Sequence, residues 1–302
     1  MTDLRGARVG VAKGCRSIPR CGRAVCAVTG VRAGGEGDSA KFRDLSIKTT
    51  RENTDLQAQG VQSPVLLEDP ELAEHVEEPR RSRAQHDCLA RVIRLQPGPW
   101  TPDGPVHEKH AAIGMLLLDG VLARRVGLDG RFSAELLGAG DLLRPWQPED
   151  AQPTLPHTGG WRVVQASRLA LLDGAFAMRA APYPEVTSAL VGRAVRRSRH
   201  LAVNMAIVHQ PRVDVRLQML FWELADRWGT VHGDGVRVSA RLTHAMLGEL
   251  IAARRPSVTK ALKELAERGA VRWTGDVWLM RGQPPGELRE IGAPSAVRAD
   301  EA

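Results

Sequence analysis

The chain has 302 residues, 43% of them hydrophobic and 25% charged, enough for one large or two ordinary domains with cores of their own. Its net charge of +7 favours a polyanionic partner, although charge alone does not single out nucleic acid. The longest apolar run, Ala111 to Leu118, is far too short to span a bilayer, and Arg5, Arg8 and Lys13 break the N-terminus where a signal peptide needs an apolar core. Four cysteines do not make a disulfide framework at this length. The expectation is a cytoplasmic protein with no membrane partner.

Residues 1–63 are rich in Gly, Arg, Ser, Thr and Gln without a sustained period, and read as a disordered extension or as sequence upstream of the true start. From Pro64 the texture changes. Val65 to Arg94 sets Leu66, Leu67, Leu72, Leu89, Val92 and Ile93 among many charges, the pattern of one or two short helices, stopped by Pro97-Gly98-Pro99. A β-rich block follows. Ala111 to Leu118 reads as a buried strand, Asp119-Gly120 as a tight turn, Val121 to Leu128 as a second strand, and Asp129-Gly130 as a second turn. Arg131 to Leu137 then leads to Gly138-Ala-Gly-Asp141. Pro145 to Gly160 reads as a long polar loop and Trp161 to Leu172 as a further strand. Such spacing makes a meander or roll.

Pro182-Tyr-Pro184 introduces a long helix, roughly Glu185 to His209, on which Leu190, Ala194, Leu201, Met205 and Val208 fall near heptad spacing, with Arg197 breaking the stripe. Pairing with a second copy would bury that stripe; packing on the chain's own roll is the plain alternative. After Pro211 a second helix carries Val213, Leu217, Leu220, Phe221, Leu224 and Trp228 on one face and ends at Gly229.

The most informative stretch is LTHAMLGELIAARRPSVTKALKELAERGAV, residues 242–271. Thr243 can cap a first helix, with Leu242 and Leu247 closing a hydrophobic staple over it. A turn at Ala252-Ala253 leads to Pro256, suited to the first turn of a second helix. That helix buries Val258, Ala261, Leu262 and Leu265 and turns Arg255, Ser257, Thr259, Lys260 and Lys263 outward. Gly269 ends it. Val271 to Leu279 reads as a hairpin turning at Gly275-Asp276, a wing flanked by Arg272 and Arg281. Two short helices, the second basic outward, fit a duplex whose major groove admits one helix and is read by side chains from its N-terminal turns. An ordinary helical hairpin with a solvated basic face is the bland reading. Cap, turn, helix and hairpin in this order favour DNA.

This segment resembles the C-terminal domain of the Crp/Fnr family of bacterial regulators, and the resemblance extends more loosely over residues 64–282. It implies an α+β architecture: a cyclic-nucleotide-binding-like β-roll at 64–182, a dimerisation helix at 183–210, a winged helix-turn-helix at 211–284, and a flexible tail at 285–302. It further implies a sequence-specific DNA-binding transcription regulator acting as a homodimer on double-stranded DNA, with RNA polymerase a further candidate partner. By position, Arg255, Thr259 and Lys260 sit where the family reads bases, with Ser257 counted beside them. Thr243, Arg254, Lys263 and Arg272 fall to the DNA backbone. Arg254 stands where many members place a serine that caps the recognition helix.

The sensor half departs from the family. Members that bind cyclic AMP hold its phosphate with a Gly-Glu pair and an Arg-Ser pair, where this chain has Arg144-Pro145 and Thr158-Gly159. A cyclic phosphate would lack its counter-charge there, so the expectation is an effector-sensing or vestigial roll without the usual nucleotide, in which Arg144 or Arg162 could hold another anion. Cys15, Cys21, Cys26 and Cys88 lack iron–sulfur spacings, and His107-Glu-Lys-His110 lacks the second intervening residue of the helical zinc motif. No cofactor, no metal and no catalytic arrangement is therefore expected. A ligand- or metal-binding sensor acting through protein partners is the alternative, and an enzyme built on the roll a more distant one.

Overall fold

The computed structural model describes residues 61–102, 113–145, 155 and 157–283. Within them the chain opens on β1 (Val61–Pro64), a one-turn helix α1 (Val65–Glu68), a 3-10 turn (Pro70–Ala73) and α2 (Arg80–Asp87). Strands β2 (Leu89–Leu95), β3 (Gly98–Trp100), β4 (Gly114–Leu128), β5 (Arg131–Leu137), β6 (Leu142–Leu143) and β7 (Thr158–Leu172) follow. They form one antiparallel sheet in the order β1-β2-β7-β4-β5, with β3 also paired to β7 and β6 to β4.

This is the β-roll. Its interior packs Leu95, Trp100, Leu117, Leu122, Leu137 and Leu169. A second core lies under the flanking helices, where Leu66, Leu72 and Phe176 meet Leu116 and Leu172 of the sheet. Burial of apolar side chains on both faces explains why these strands read as apolar runs rather than clean alternation.

Four expectations are corrected. Val61 to Ser63, counted with the disordered extension, belong to β1 and pair with Ala90 to Val92 of β2. Leu89 to Arg94, read as helix, is strand, because its partners on β7, Ser167 to Leu171, lie far away in sequence. Thr158 to Gly160, read as loop, begin β7. Asp119-Gly120 is a bulge inside the continuous strand β4, where the register against β7 shifts three times between Leu117 and Leu122. Gly120 has φ +87, and a Cβ there would fall 2.3 Å from Ser167 Oγ. The Asp119 carboxylate accepts from the Arg168 N–H across the sheet. The second signal is a true turn: Asp129 (φ 48) and Gly130 (φ 70) join β4 to β5 with both central residues left-handed.

Three helices continue the chain, α3 (Gly174–Ala180), α4 (Pro184–Val208) and α5 (Val213–Trp228). Asp173 caps α3 by accepting the Phe176 N–H at 2.8 Å. On α4, Val186 and Leu190 enter the core of the roll. The hairpin β8 (Thr230–His232) and β9 (Gly235–Val238), helices α6 (His244–Leu250) and α7 (Arg255–Glu267), and strands β10 (Val271–Trp273) and β11 (Trp278–Met280) complete the fold. Their sheet runs β10-β11-β9-β8, so the wing is extended by a hairpin that sequence reasoning missed. A third core joins Leu217, Phe221, Leu247, Val258 and Leu265 to Val121, Ala123 and Leu136 of the roll.

Cys88 is buried and burial pushes its thiol up to about 11, which leaves it inert. Cys15, Cys21, Cys26, His107 and His110 lie outside the described residues. Among the described residues no cluster of three metal-ligating side chains occurs, and no helix is long and apolar enough to cross a membrane.

Candidate nucleic-acid interface

Thr243 Oγ1 accepts the Met246 N–H at 3.2 Å and starts α6. Leu242 and Leu247 are both buried beneath that cap. The turn to α7 is tight: Ala253 donates its N–H to the Gly248 carbonyl at 2.8 Å, and a Cβ on Gly248 would come within 2.6 Å of the Ala253 oxygen. Ala252 takes φ +52 to make this corner, a conformation that favours glycine. Arg254 occupies the cap position of α7 without a side-chain bond, and Pro256 lies in the first turn.

Val258, Ala261, Leu262 and Leu265 are buried on one face of α7. Arg255, Ser257, Thr259, Lys260 and Lys263 are exposed on the other, Lys260 and Lys263 with side chains 82% and 79% exposed. Their contacts with Glu264 and Glu267 are long, 3.9 and 3.8 Å. Gly269, at φ +68, terminates the helix. The Arg268 guanidinium reaches Asp214 of α5 at 2.9 Å and fixes the far end of α7.

In the wing, Thr274 donates its N–H to the Val277 carbonyl at 3.0 Å, and Arg272 and Trp273 are exposed. Trp278 anchors the wing from inside, donating Nε1–H to the Ala240 carbonyl at 3.0 Å and packing against Phe221. One residue needs re-assignment. The Thr259 hydroxyl donates to the Arg255 carbonyl one turn back at 3.1 Å and lies 2.9 Å from His244 Nδ1. Its hydroxyl is thus engaged within the domain. The back-bond from a helical threonine was the available signal; the histidine contact across two helices was not.

The winged domain is fastened to the roll. Arg125 of β4 grips Glu249 of α6 through two bonds, Nε to Oε2 at 2.8 Å and Nη2 to Oε1 at 2.6 Å, and Gln165 of β7 donates to the Ser239 carbonyl at 3.1 Å. Its strand neighbour Arg124 points to the opposite face, over the Trp161 ring at 5.8 Å. There a cleft of about 770 Å³ is lined by Trp100, Arg124, Arg144, Trp161 and Arg197. Arg144 thus meets the cleft, whereas Arg162 is exposed and follows Trp161 on the strand, so alternation turns it away. Arg124 and the two tryptophans, edge to face at 5.8 Å, were overlooked.

The stripe on α4 also changes. Leu190 is buried in the roll and is not available to a second copy. Ala194, Leu201 and Met205 are exposed, Val208 is half-buried, and Val191 and Val195 join the outward face.

Residues 215–281 match the Crp-like helix-turn-helix domain. A CRP-like cAMP-activated global transcriptional regulator of Mycobacterium tuberculosis, matched in two strains, is 31% identical over 121 residues, 40% of this chain and 54% of that protein. The chain therefore matches about half the length of these relatives. Among solved structures, a cyclic nucleotide-binding domain containing protein from Listeria monocytogenes has a TM-score of 0.51 at 14% identity, over 70% of this chain and 96% of its own. A CooA mutant from Carboxydothermus hydrogenoformans has a TM-score of 0.50 at 13% identity, over 68% and 88%. Such identities speak for the fold alone. The chain thus carries a Crp-like helix-turn-helix domain at residues 215–281, placed after a roll and a long helix.

Proposed function

We propose that this protein is a sequence-specific DNA-binding transcription regulator and not an enzyme. The observation that carries the reading is α7, whose apolar face is anchored in the core while its cationic face meets solvent unpaired by any contact shorter than 3.8 Å. A helix so presented can enter the major groove with Arg255, Ser257 and Lys260 at base edges and Thr259 beside them. Thr243, Arg254, Lys263 and Arg272 then meet phosphates.

The working unit of this proposal is a homodimer in the cytoplasm. The outward apolar face of α4, with Val191 58% and Met205 65% exposed, is large for a solvated surface and suits a second copy of itself. Two reading helices would then sit about 34 Å apart on a pseudo-palindromic site. RNA polymerase is the natural further partner of such a regulator. The roll is proposed to sense an effector other than a conventionally bound cyclic nucleotide, at the cleft that Arg144 lines. In this proposal the domains keep the bounds 64–182, 183–210 and 211–284, with β1 joined to the first.

A mobility shift on genomic fragments, followed by footprinting of the selected site, tests the central claim. Loss of site preference in Lys260→Ala and Arg255→Ala is expected, and wild-type discrimination in both would refute it. Sedimentation of Met205→Glu checks the dimer, which is expected to dissociate.

A further inference from the structure

One arginine holds the winged domain against a turn of the roll. Near the end of α5, Arg227 donates Nη2–H to Asp141 Oδ2 at 2.7 Å and to the Leu136 carbonyl at 3.2 Å. Asp141 lies in the turn between β5 and β6, where the same oxygen accepts the Gly138 N–H at 2.8 Å. Trp228 continues this contact: its ring lies 4.2 Å from the Arg227 guanidinium, and a Cβ on Gly138 would meet it at 2.3 Å.

One turn earlier on α5, Glu223 faces the same guanidinium, with Oε1 3.6 Å from Nη1. It also faces His200 of α4, Oε1 to Nδ1, at 3.0 Å. Its side chain is only 8% exposed, and neither carboxylate oxygen has a well-aligned hydrogen bond. Asp141 on the roll and Glu223 on the helix therefore face one cation, at Nη2 and Nη1 respectively, the first contact short and the second long. Only Glu223 is short of partners.

We propose that this cluster is a proton-operated clasp between the roll and the winged domain. With Glu223 neutral, Arg227 belongs to Asp141 and holds α5 on the β5–β6 turn. When Glu223 gives its proton to solvent, the new carboxylate draws Arg227 to its neighbour four residues back on the same helix, and the turn is released.

The surroundings favour titration near neutrality. Burial, and then the charges of Asp141 and Asp226, outweigh Arg227 and push the Glu223 carboxyl up to about 7. Burial, helped by Arg227 and Arg196, lowers the His200 imidazole against the pull of Asp141 and Asp226. Arg193 and Arg196 of α4 and Glu71 of the 3-10 turn complete the charged lining of a cleft of about 350 Å³ beside the cluster, an open path for the proton.

Amide hydrogen exchange on the full chain at pH 6 and pH 8, each corrected for the intrinsic rate, tests the clasp without DNA. Its outcome is therefore separable from that of the DNA reading. In the wild type, protection over residues 138–141 and over α5 is expected to fall by about fivefold or more on going to pH 8. Glu223→Gln, uncharged at every pH, should stay protected at both, and Asp141→Asn should be open at both. Should Glu223→Gln fail to fold by circular dichroism, Glu223→Met takes its place with the same expectation. Wild-type protection that does not change with pH, or a change that survives neutralisation of Glu223, overturns the proposal.

Discussion

The recognition helix and the junction between roll and winged domain both depend on basic side chains, but they use them in opposite ways. On α7, Lys260 and Lys263 stand in solvent with carboxylates no closer than 3.8 Å. At the junction Arg227 is paired with Asp141 at 2.7 Å, and between the roll and α4 Arg197 is paired with Glu135 at 2.6 Å and Arg193 with Asp69 at 2.8 Å, all largely shielded from water. The first set is available to a polyanion; the second is spent inside the molecule. A net charge of +7 hides this division, and the pairing of each cation is what separates a binding face from a scaffold.

The sharpest way to break the contrast is to remove one cation from each set. Arg197→Ala strands the buried Glu135 carboxylate and should lower unfolding free energy by about 3 kcal/mol in denaturant titrations, with α7 itself untouched. Arg255→Ala and Lys260→Ala should leave stability within about 0.5 kcal/mol yet cost about 1–3 kcal/mol of discrimination between the selected site and a mismatched duplex. Arg272→Ala, on the wing, should weaken binding to every duplex alike and reduce the slope of log affinity against log salt by about 1.

A pH series sharpens the scaffold side. The Glu223 carboxyl is raised from 4.5 to about 7 in the folded chain, so the folded state holds a proton that the unfolded state has lost. Stability contributed by this group should therefore decline as pH rises between those values, and Glu223→Gln should flatten that part of the melting-temperature profile. The smallest effect belongs to the corner before α7. Ala252→Gly relieves a left-handed alanine and should stabilise by about 0.5–1 kcal/mol in thermal melts, without altering site preference.

The reading head was legible in the sequence because its determinants are local. The Thr243 cap, the Pro256 start and the apolar stripe from Val258 to Leu265 all lie within a few helical turns of one another. The roll was less legible because its decisions are made across the sheet. Asp119-Gly120 and Asp129-Gly130 are the same dipeptide with the same turn signal. One is a hairpin; the other is a bulge at which β4 continues along β7, with Ser167 leaving no room for a Cβ at Gly120. Leu89 to Leu95 looked helical until its partner strand, some seventy residues on, was in place. Leu190 fitted a heptad on spacing alone, and only the packed roll shows which side of α4 it serves. Glu223, His200 and Asp141 carry no motif at all; three separate elements bring them together.

Arg124 and Arg125 are consecutive on β4, yet one lies over Trp161 in the cleft and the other holds Glu249 of the winged domain. Whatever settles in that cleft and pulls on the first guanidinium acts a single peptide unit from the fastening of the second. If the roll senses a ligand there, as proposed, strand β4 alone would link cleft and winged domain, and its stiffness would determine how faithfully a small displacement on one side reaches the other.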